Sequence, residues 1–169
     1  MDWVVLICSV IFVIFMAAPL LGGAPYLPSR KAAIEKMMEL AAVGRGVKFA
    51  DLGSGDGRVL IEAAKRGADA TGFEINPILV LVSRYRIRKE GLADRARVYF
   101  KSFWRADFYE YDVLTIFGIT RIMPALEKKI LNELKPDGRV VSFAFRFPHW
   151  PYARVEDGVF LYKNPKNFI

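Results

Sequence analysis

Cysteine and histidine are nearly absent from this sequence of 169 residues, which contains one of each. A single cysteine, Cys8, cannot form an internal disulfide, and its place in an apolar run argues against a catalytic thiol. A single histidine, His149, excludes a metal site built from several histidines, and no metal is expected. Basic residues outnumber acidic ones by 25 to 18. The formal net charge of +7 favours an acidic partner, such as anionic lipid, nucleic acid or an acidic protein surface.

Charge is missing altogether from Trp3 to Ser29, and the first part of this segment is almost wholly apolar. About 20 such residues in a helix span the core of a bilayer, which predicts a transmembrane anchor over residues 1–23. A cleaved signal peptide is a second interpretation, although no basic residue precedes the apolar run, and a buried core helix is a third. Arg30 and Lys31 follow the segment. The positive-inside rule therefore predicts a single-pass membrane protein whose remaining part, from residue 24 on, is cytoplasmic.

Strands and helices alternate along the rest of the chain. A linker and an N-terminal helix are predicted at 24–46, and the main globular domain at 47–169. Apolar runs and turn residues predict strands at 47–52, 70–74, 96–100, 112–117, 139–145 and 159–162. Helical periodicity and capping residues predict helices at 29–43, 58–66, 76–90 and 124–134. This alternation is typical of a Rossmann-like α/β fold with a mostly parallel sheet and room for a final antiparallel strand.

The turn after the first predicted strand is the strongest local signal, with the sequence Asp51-Leu52-Gly53-Ser54-Gly55-Asp56-Gly57-Arg58. Glycines permit positive φ and let the backbone approach a ligand, and the next helix presents free N–H groups. Paired carboxylates at Asp51 and Asp56 would repel a phosphate but suit a sulfonium. Glu74, at the end of the second strand, would accept both ribose hydroxyls. S-adenosylmethionine meets both conditions and NAD only the second; a dehydrogenase and a purely structural turn are the alternatives.

Six further blocks carry a family resemblance. They are Pro25 to Ser29, Gly72 to Pro77, Ser83 to Tyr85, Ile116 to Gly118, Leu126 to Lys129 and Arg146 to Trp150. With the glycine turn, they resemble the seven-strand protein-lysine methyltransferases that modify the ATP-synthase c subunit and the adenine nucleotide translocase, and their small archaeal broad-specificity relatives. The resemblance runs from about Pro25 to Pro151. It implies a class I methyltransferase that uses S-adenosylmethionine.

The resemblance also implies roles for individual residues. Those expected to hold the cofactor are Tyr26, Pro28, Asp51, Gly53, Ser54, Gly55, Asp56, Glu74, Ile75 and Asn76. Where such enzymes usually carry an aspartate for the adenine amine, this chain has Ser102 followed by Phe103. The expected walls of a lysine channel are Phe117, Gly118, Phe147 and Trp150, with a place in the core as the alternative for the two phenylalanines. His149 is a candidate base, although water could also accept the proton.

Two further absences narrow the target. No Asn-Pro-Pro-Tyr type sequence follows the fourth strand, which disfavours adenine and glutamine amides. The only cysteine lies in the apolar segment, which excludes cysteine-dependent cytosine methylation. We therefore predict a membrane-tethered protein-lysine N-methyltransferase whose substrates can include membrane-embedded proteins. The alternatives are a methyltransferase of lipid, quinone, small molecule or RNA, and a non-catalytic binding module. The basic stretch Arg84 to Arg97 is interpreted as a solvated helix face, with a face toward anionic headgroups or nucleic acid as the alternative; a nucleic acid partner is not expected.

Overall fold

The computed structural model describes residues 3–7, 9, 31–118 and 120–165. The strands are β1 (Lys48–Leu52), β2 (Asp69–Glu74), β3 (Ala96–Phe100), β4 (Val113–Ile116), β5 (Arg139–Phe143), β6 (Arg154–Glu156) and β7 (Val159–Lys163). The helices of the domain are α1 (Lys31–Leu40), α2 (Arg58–Lys65), α3 (Pro77–Lys89) and α4 (Met123–Glu133), and a 3-10 turn covers Phe103–Arg105. Residues 3–7 and 9 are also helical.

All seven strands form one sheet in the order β3-β2-β1-β4-β5-β7-β6. Strands β1 to β5 pair in parallel, whereas β7 runs antiparallel to both β5 and β6. The order reverses at β1, with β2 and β3 on one side and β4 and β5 on the other. Ligands of open α/β sheets bind beyond the carboxyl ends of the strands at such a reversal. The predicted Rossmann-like, mostly parallel sheet is confirmed.

Two apolar layers cover the faces of this sheet. Helices α1, α2 and α3 pack on one face through buried side chains such as Met38, Leu60 and Val80. Helix α4 packs on the other face, where Leu126 and Ile130 join a large aromatic cluster. Both faces of the sheet are thus buried, which is the usual condition for a parallel sheet. This explains why three of the four residues of β4 are apolar and the fourth is a buried threonine.

The carboxyl end of β5 differs from its prediction. The strand stops at Phe143 because Ala144 has a φ of 66° and turns the chain out of the sheet. Strand β6 is not predicted at all. Its sequence, Arg-Val-Glu, has no apolar alternation, and its sheet partner within the described chain is the hairpin neighbour β7. Pairing between chain segments, rather than local pattern, creates this strand.

Strand β3 lies at one edge of the sheet, so one side of its backbone has no strand partner among the described residues. The guanidinium of Arg84 on α3 fills part of this gap. Its Nη2 and Nε donate to the carbonyl oxygen of Val98 at 2.9 and 3.2 Å. Arg84 therefore covers the free edge while its side chain also ties α3 to the sheet.

Among the described residues, no helix has the length and apolar character needed to cross a bilayer. Most of the predicted anchor over residues 1–23 lies outside the described residues. So do Tyr26 and Pro28, the two linker residues expected over the cofactor. The described helical residues Trp3 to Ile7 have side chains that are between 53% and 76% exposed.

Candidate functional site

The glycine turn follows β1 at the point where the strand order reverses. The amides of Gly53 and Ser54 both donate to the carbonyl of Phe73 on β2, at 2.9 and 3.0 Å, which fixes the turn against the neighbouring strand. A Cβ atom at Gly53 would have no heavy atom of the described residues within 4 Å, so the backbone here borders open space. At Gly57, with a φ of 80°, a Cβ would lie 2.1 Å from Oγ of Ser83. One glycine thus leaves room for a ligand and the other permits close packing on α3.

Glu74 collects three backbone N–H groups at the end of β2. Its Oε2 accepts from Gly55 at 2.8 Å, and its Oε1 accepts from Ile75 and Asn76 at 2.8 Å each. An ionised carboxylate offers about four acceptor positions, two on each oxygen. One position on Oε2 therefore remains for a ligand. That Glu74 accepts both ribose hydroxyls stays a prediction: with these three contacts in place, a second hydroxyl would share or take over the position of a backbone amide.

Asp51 is a buried carboxyl at the end of β1. Burial raises its pKa to about 7, the hydrogen bond from Thr115 opposes that rise, and the charges of Glu74 and Asp56 add to it. The hydroxyl of Thr115, its neighbour in register on β4, donates to Oδ1 at 2.9 Å. A cation placed beside Asp51 would favour the ionised form. The site therefore holds an acidic group whose ionisation a cationic ligand would promote.

Asp56 has a different environment from the one its sequence position suggests. Nη2 of Arg58 lies 2.7 Å from Oδ2 of Asp56, and Nη1 of Arg86 on α3 also forms an ion pair with this oxygen. Burial opposes ionisation, but the two guanidiniums hold the pKa of Asp56 below its usual value. Its charge is balanced within the fold. The electrostatic preference for a sulfonium over a phosphate therefore rests on Asp51 and Glu74, and not on Asp51 paired with Asp56.

The other expected cofactor residues lie along the same edge, and one of them, Asn76, has a structural role there. Asn76 caps α3 by accepting from the amides of Ile78 and Leu79 at 3.0 and 3.4 Å. Oγ of Ser54 is buried and has no hydrogen-bond partner among the described residues. Ile75, beside Glu74, is half-buried.

Ser102 and Phe103 form the adenine side of the predicted site. Ser102 caps the short 3-10 turn by accepting from the amide of Trp104 at 3.4 Å, which is a long contact. Phe103 is buried with its ring 5.0 Å from that of Trp104. The turn occupies the chain between β3 and β4 where a helix commonly stands in α/β folds. Ser102 lies at the carboxyl end of the sheet, where the sequence predicts it.

A groove of about 780 Å³ opens at the carboxyl end of β5. It is lined by Thr120 and by residues 144–152, which we call the groove segment. His149 lies at its rim with 83% of its side chain exposed. The aromatic residue Phe145 also lines the groove, and sequence reasoning did not single it out because its neighbours in the same block were more prominent.

The predicted channel aromatics divide into two groups. Phe147 and Trp150 line the groove but are buried, with ring centroids 4.9 and 5.2 Å from that of Tyr162. They form its floor and belong to the core beneath it, so the core alternative holds for Phe147. Phe117 is half-buried and packs on Phe145, 6.0 Å between centroids. At Gly118 a Cβ would come within 2.7 Å of Sδ of Met123, so a larger residue would require the Met123 side chain to shift.

Side-chain donors and acceptors from the surrounding elements hold the groove segment. Oγ of Ser142 donates to the Phe145 carbonyl at 2.7 Å, and the Phe147 amide donates to Oη of Tyr162 at 3.2 Å. Two further bonds are from the His149 amide to Oε2 of Glu127 at 3.1 Å, and from Nε1 of Trp150 to the Lys163 carbonyl at 3.1 Å. The segment begins at Ala144, whose positive φ is a strained conformation for a non-glycine residue. Buried polar side chains thus fix a strained segment beside the cofactor edge.

Comparison with known proteins gives a consistent picture. The family model of the ANTKMT methyltransferase domain matches residues 51–154. The chain is 43% identical over 126 residues to the human lysine N-methyltransferase of the ATP-synthase c subunit, and the match covers 75% of this chain and 54% of the relative. It therefore spans about half the length of this curated relative. A protein-lysine N-methyltransferase of Saccharolobus islandicus is 37% identical over 139 residues, and the match covers 79% of this chain and 86% of that protein.

Solved structures agree with the sequence relatives on the fold. The crystal structure of an RNA methyltransferase from Salinibacter ruber, in complex with S-adenosyl-L-homocysteine, superimposes with a TM-score of 0.81. It is 32% identical, and the match covers 83% of this chain and 95% of that one. The sequence relatives and this structure thus share a methyltransferase fold but carry names with different substrates.

Proposed function

Because this chain belongs to the ANTKMT methyltransferase family and uses S-adenosylmethionine, we propose that it methylates the side-chain amine of a lysine in a protein substrate. The observation that carries this proposal is the groove. It lies at the carboxyl end of β5, on the same end of the parallel sheet as the glycine turn, it is lined by nine consecutive residues and Thr120, and its floor is aromatic. A lysine side chain has an apolar stem and a cationic tip, and aromatic walls favour both.

The residues of the turn fit a cofactor that combines ribose with a cationic end. Open space beyond Gly53 admits the ligand, Oε2 of Glu74 keeps one acceptor position for a hydroxyl, and Asp51 supplies a carboxyl for the cation. When bound, S-adenosylmethionine supplies a methyl group on a positively charged sulfur. The groove segment aligns the amine with that methyl carbon, and its aromatic floor excludes water. Alignment of this kind supplies most of the acceleration that methyl transfer requires.

A membrane tether is a further part of the proposal. The uncharged run from Trp3 to Ser29, followed by Arg30 and Lys31, supports an anchor over residues 1–23 with the catalytic domain on the cytoplasmic side. An enzyme tethered to the membrane would reach lysines of membrane-embedded proteins by lateral diffusion, without a three-dimensional search through the cytoplasm. Alkaline extraction of membranes, followed by immunodetection, tests this part: recovery in the supernatant would contradict a transmembrane tether.

RNA methylation is a second candidate, favoured by the name of the Salinibacter relative and by one surface. On the exposed side of α3, Arg84, Arg88 and Lys89 have no carboxylate partner among the described residues. Such a basic face can contact phosphates. The same face also exposes Leu81 and Tyr85, at 66% each, and an aliphatic side chain gives no advantage in nucleic-acid binding. Protein-lysine methylation therefore remains the first proposal.

The decisive experiment offers all candidate substrates at once. Full-length protein in mild detergent is incubated with methyl-labelled S-adenosylmethionine, cell membranes and total RNA. We expect label in protein that survives nuclease and lipid extraction, and methyl-lysine after acid hydrolysis. The variant Glu74→Ala should give no label, whereas Glu62→Gln on the surface of α2 should match the wild type. Label confined to RNA or lipid would overturn the lysine proposal.

A further inference from the structure

Glu127 on α4 is a charged residue that the proposed reaction does not yet use. It is 5% exposed, at the edge of the aromatic cluster beneath the groove. Its Oε2 accepts the His149 amide at 3.1 Å, and its Oε1 lies 3.6 Å from Nδ1 of the same residue. Both oxygens therefore face one residue, through its backbone and through its imidazole. A carboxylate is seldom buried without such compensation, since burial of an unpaired charge is costly.

The position of this carboxylate determines how the imidazole can act. A carboxylate beside Nδ1 favours the tautomer that carries its proton on Nδ1, which leaves Nε2 as a hydrogen-bond acceptor. Nε2 lies on the opposite side of the ring from Nδ1, and the ring is 83% exposed at the rim of the groove. The acceptor nitrogen consequently belongs to a ring that solvent and an incoming substrate can reach at the rim of the groove.

The other polar groups near His149 do not compete for this role. The Tyr162 hydroxyl on β7 accepts the Phe147 amide, and burial, as the largest cause, raises its pKa above the ordinary value. Arg146, on the groove segment itself, is exposed and has no proton-accepting atom. Within the described residues that line or support the groove, His149 offers the imidazole nitrogen that a substrate can reach as a proton acceptor.

We propose that Glu127 is a positioning residue that holds His149 ready to accept the proton of the substrate ammonium. The inference rests on the proposed lysine methylation. The ammonium gives one proton to Nε2, and the freed nitrogen lone pair then forms the N–C bond. The C–S bond breaks with its electron pair left on sulfur, which becomes a neutral thioether. The imidazolium formed, stabilised by Glu127, later releases its proton to water.

Two substitutions at one position separate positioning from packing. In Glu127→Gln the side-chain amide oxygen can still accept the His149 amide, but the negative charge is lost. We expect kcat with cell membranes as substrate to fall about tenfold, with KM, cofactor affinity and thermal midpoint unchanged. His149→Gln should show the same fall. The double variant should fall no further, whereas independent roles would give about 100-fold.

The matched control is Glu133→Gln, six residues along α4, where the carboxylate pairs with Lys129. It should keep wild-type kcat. A wild-type kcat in Glu127→Gln, or a double variant that falls by the product of the single effects, would overturn the inference even if lysine methylation is established.

Hydrogen exchange gives a readout that needs no turnover. The His149 amide should be protected in the wild type and in Glu127→Gln, and should exchange at least about tenfold faster in Glu127→Ala. Equal exchange in all three proteins would show that Glu127 does not hold the segment. If the wild type instead labels only RNA, the lysine proposal and the proton-accepting role fail together, and the exchange data still decide whether Glu127 positions His149.

Discussion

The cofactor edge and the groove lie side by side at the carboxyl end of the sheet, yet they are built in different ways. At the cofactor edge the backbone makes the shape: glycines with positive φ form the turn, and Glu74 gathers the amides around it. In the groove the side chains make the shape, because Ser142, Glu127 and Tyr162 each hold the segment from a different element. The cofactor edge, which is shaped by backbone, tolerates few added side-chain atoms. The groove, which is shaped by side chains, can acquire a different substrate specificity through small side-chain changes while the fold persists.

The largest effect should follow from a side chain added at the backbone-built edge. In Gly57→Val, the new Cβ would meet Ser83 at 2.1 Å while a β-branched residue is forced to a φ of 80°. We expect the free energy of unfolding to fall by about 4–5 kcal/mol. Gly46→Ala is the control, since its φ is 79° but none of the described atoms lies within 4 Å, and it should cost about 1 kcal/mol. Urea denaturation measures both, and equal losses would contradict the packing argument.

The pH dependence of stability should reveal the buried acid of the same edge. Asp51 has a pKa of about 7 in the folded protein against an ordinary value of 3.8. The folded state therefore binds the proton more tightly, so this contribution to stability is fully present below about pH 4 and lost as the pH rises through about 7. It amounts to at most about 4 kcal/mol.

Asp51→Asn should remove this dependence. Urea denaturation from pH 4 to pH 8 measures the difference between wild type and variant. Asp56 and Asp112, whose pKa values are lowered, act with the opposite sign and only below about pH 4, so they do not obscure it. Parallel stability curves for the two proteins across this range would show that Asp51 is not ionised differently in the folded state.

Cofactor affinity should depend on the charge of Glu74. Glu74→Gln keeps the length of the side chain but turns one acceptor oxygen into a donor group, facing amides that also donate. We expect the Kd for S-adenosylmethionine to rise about 10- to 100-fold, which corresponds to about 1.5–3 kcal/mol. Isothermal calorimetry measures this. Glu62→Gln, which breaks a half-buried ion pair with Arg66 on α2, should leave the Kd unchanged; a similar loss in both variants would point to general destabilisation.

The smallest effect should come from the groove. Tyr162→Phe removes the oxygen that accepts the Phe147 amide and leaves this buried N–H without its partner. We expect a loss of about 1–2 kcal/mol in unfolding free energy, a several-fold rise in KM for the protein substrate, and an unchanged Kd for the cofactor. Steady-state kinetics and calorimetry test the two parts. A weaker cofactor affinity with unchanged KM would reverse the distinction between the two regions.

The sequence was informative wherever local chemistry decides the structure. Asn76-Pro77 predicts the capped start of a helix, and the glycine turn predicts a ligand-binding site after the first strand. The alternation of strands and helices predicts a mostly parallel sheet. The resemblance to the lysine methyltransferase family, the methyltransferase class and the use of S-adenosylmethionine are all confirmed. Each of these signals lies within a few neighbouring residues.

Side-chain pairs that are distant in sequence could not be predicted. Arg86 is 30 residues from Asp56, and Glu127 is 22 residues from His149. Neither spacing carries a local signal, so the neutralised Asp56 and the fixed position of His149 emerge only from the fold. The burial of Phe147 and Trp150 also depends on the fold, because Tyr162 packs on both rings from β7.

The contact between Arg84 and the Val98 carbonyl also affects how readily the protein aggregates, both during synthesis and at high protein concentration. An unpaired sheet edge invites the edge of another molecule, and repeated addition leads to fibrillar aggregates. Exposed Tyr99 and Phe100 would strengthen such an addition at β3. Arg84 occupies the Val98 carbonyl and places a positive charge at the free edge of β3. Two copies that approach each other through this edge therefore repel each other and find one backbone acceptor already bonded. A single side chain of the basic helix thus favours colloidal stability, independently of any reaction at the carboxyl end of the sheet.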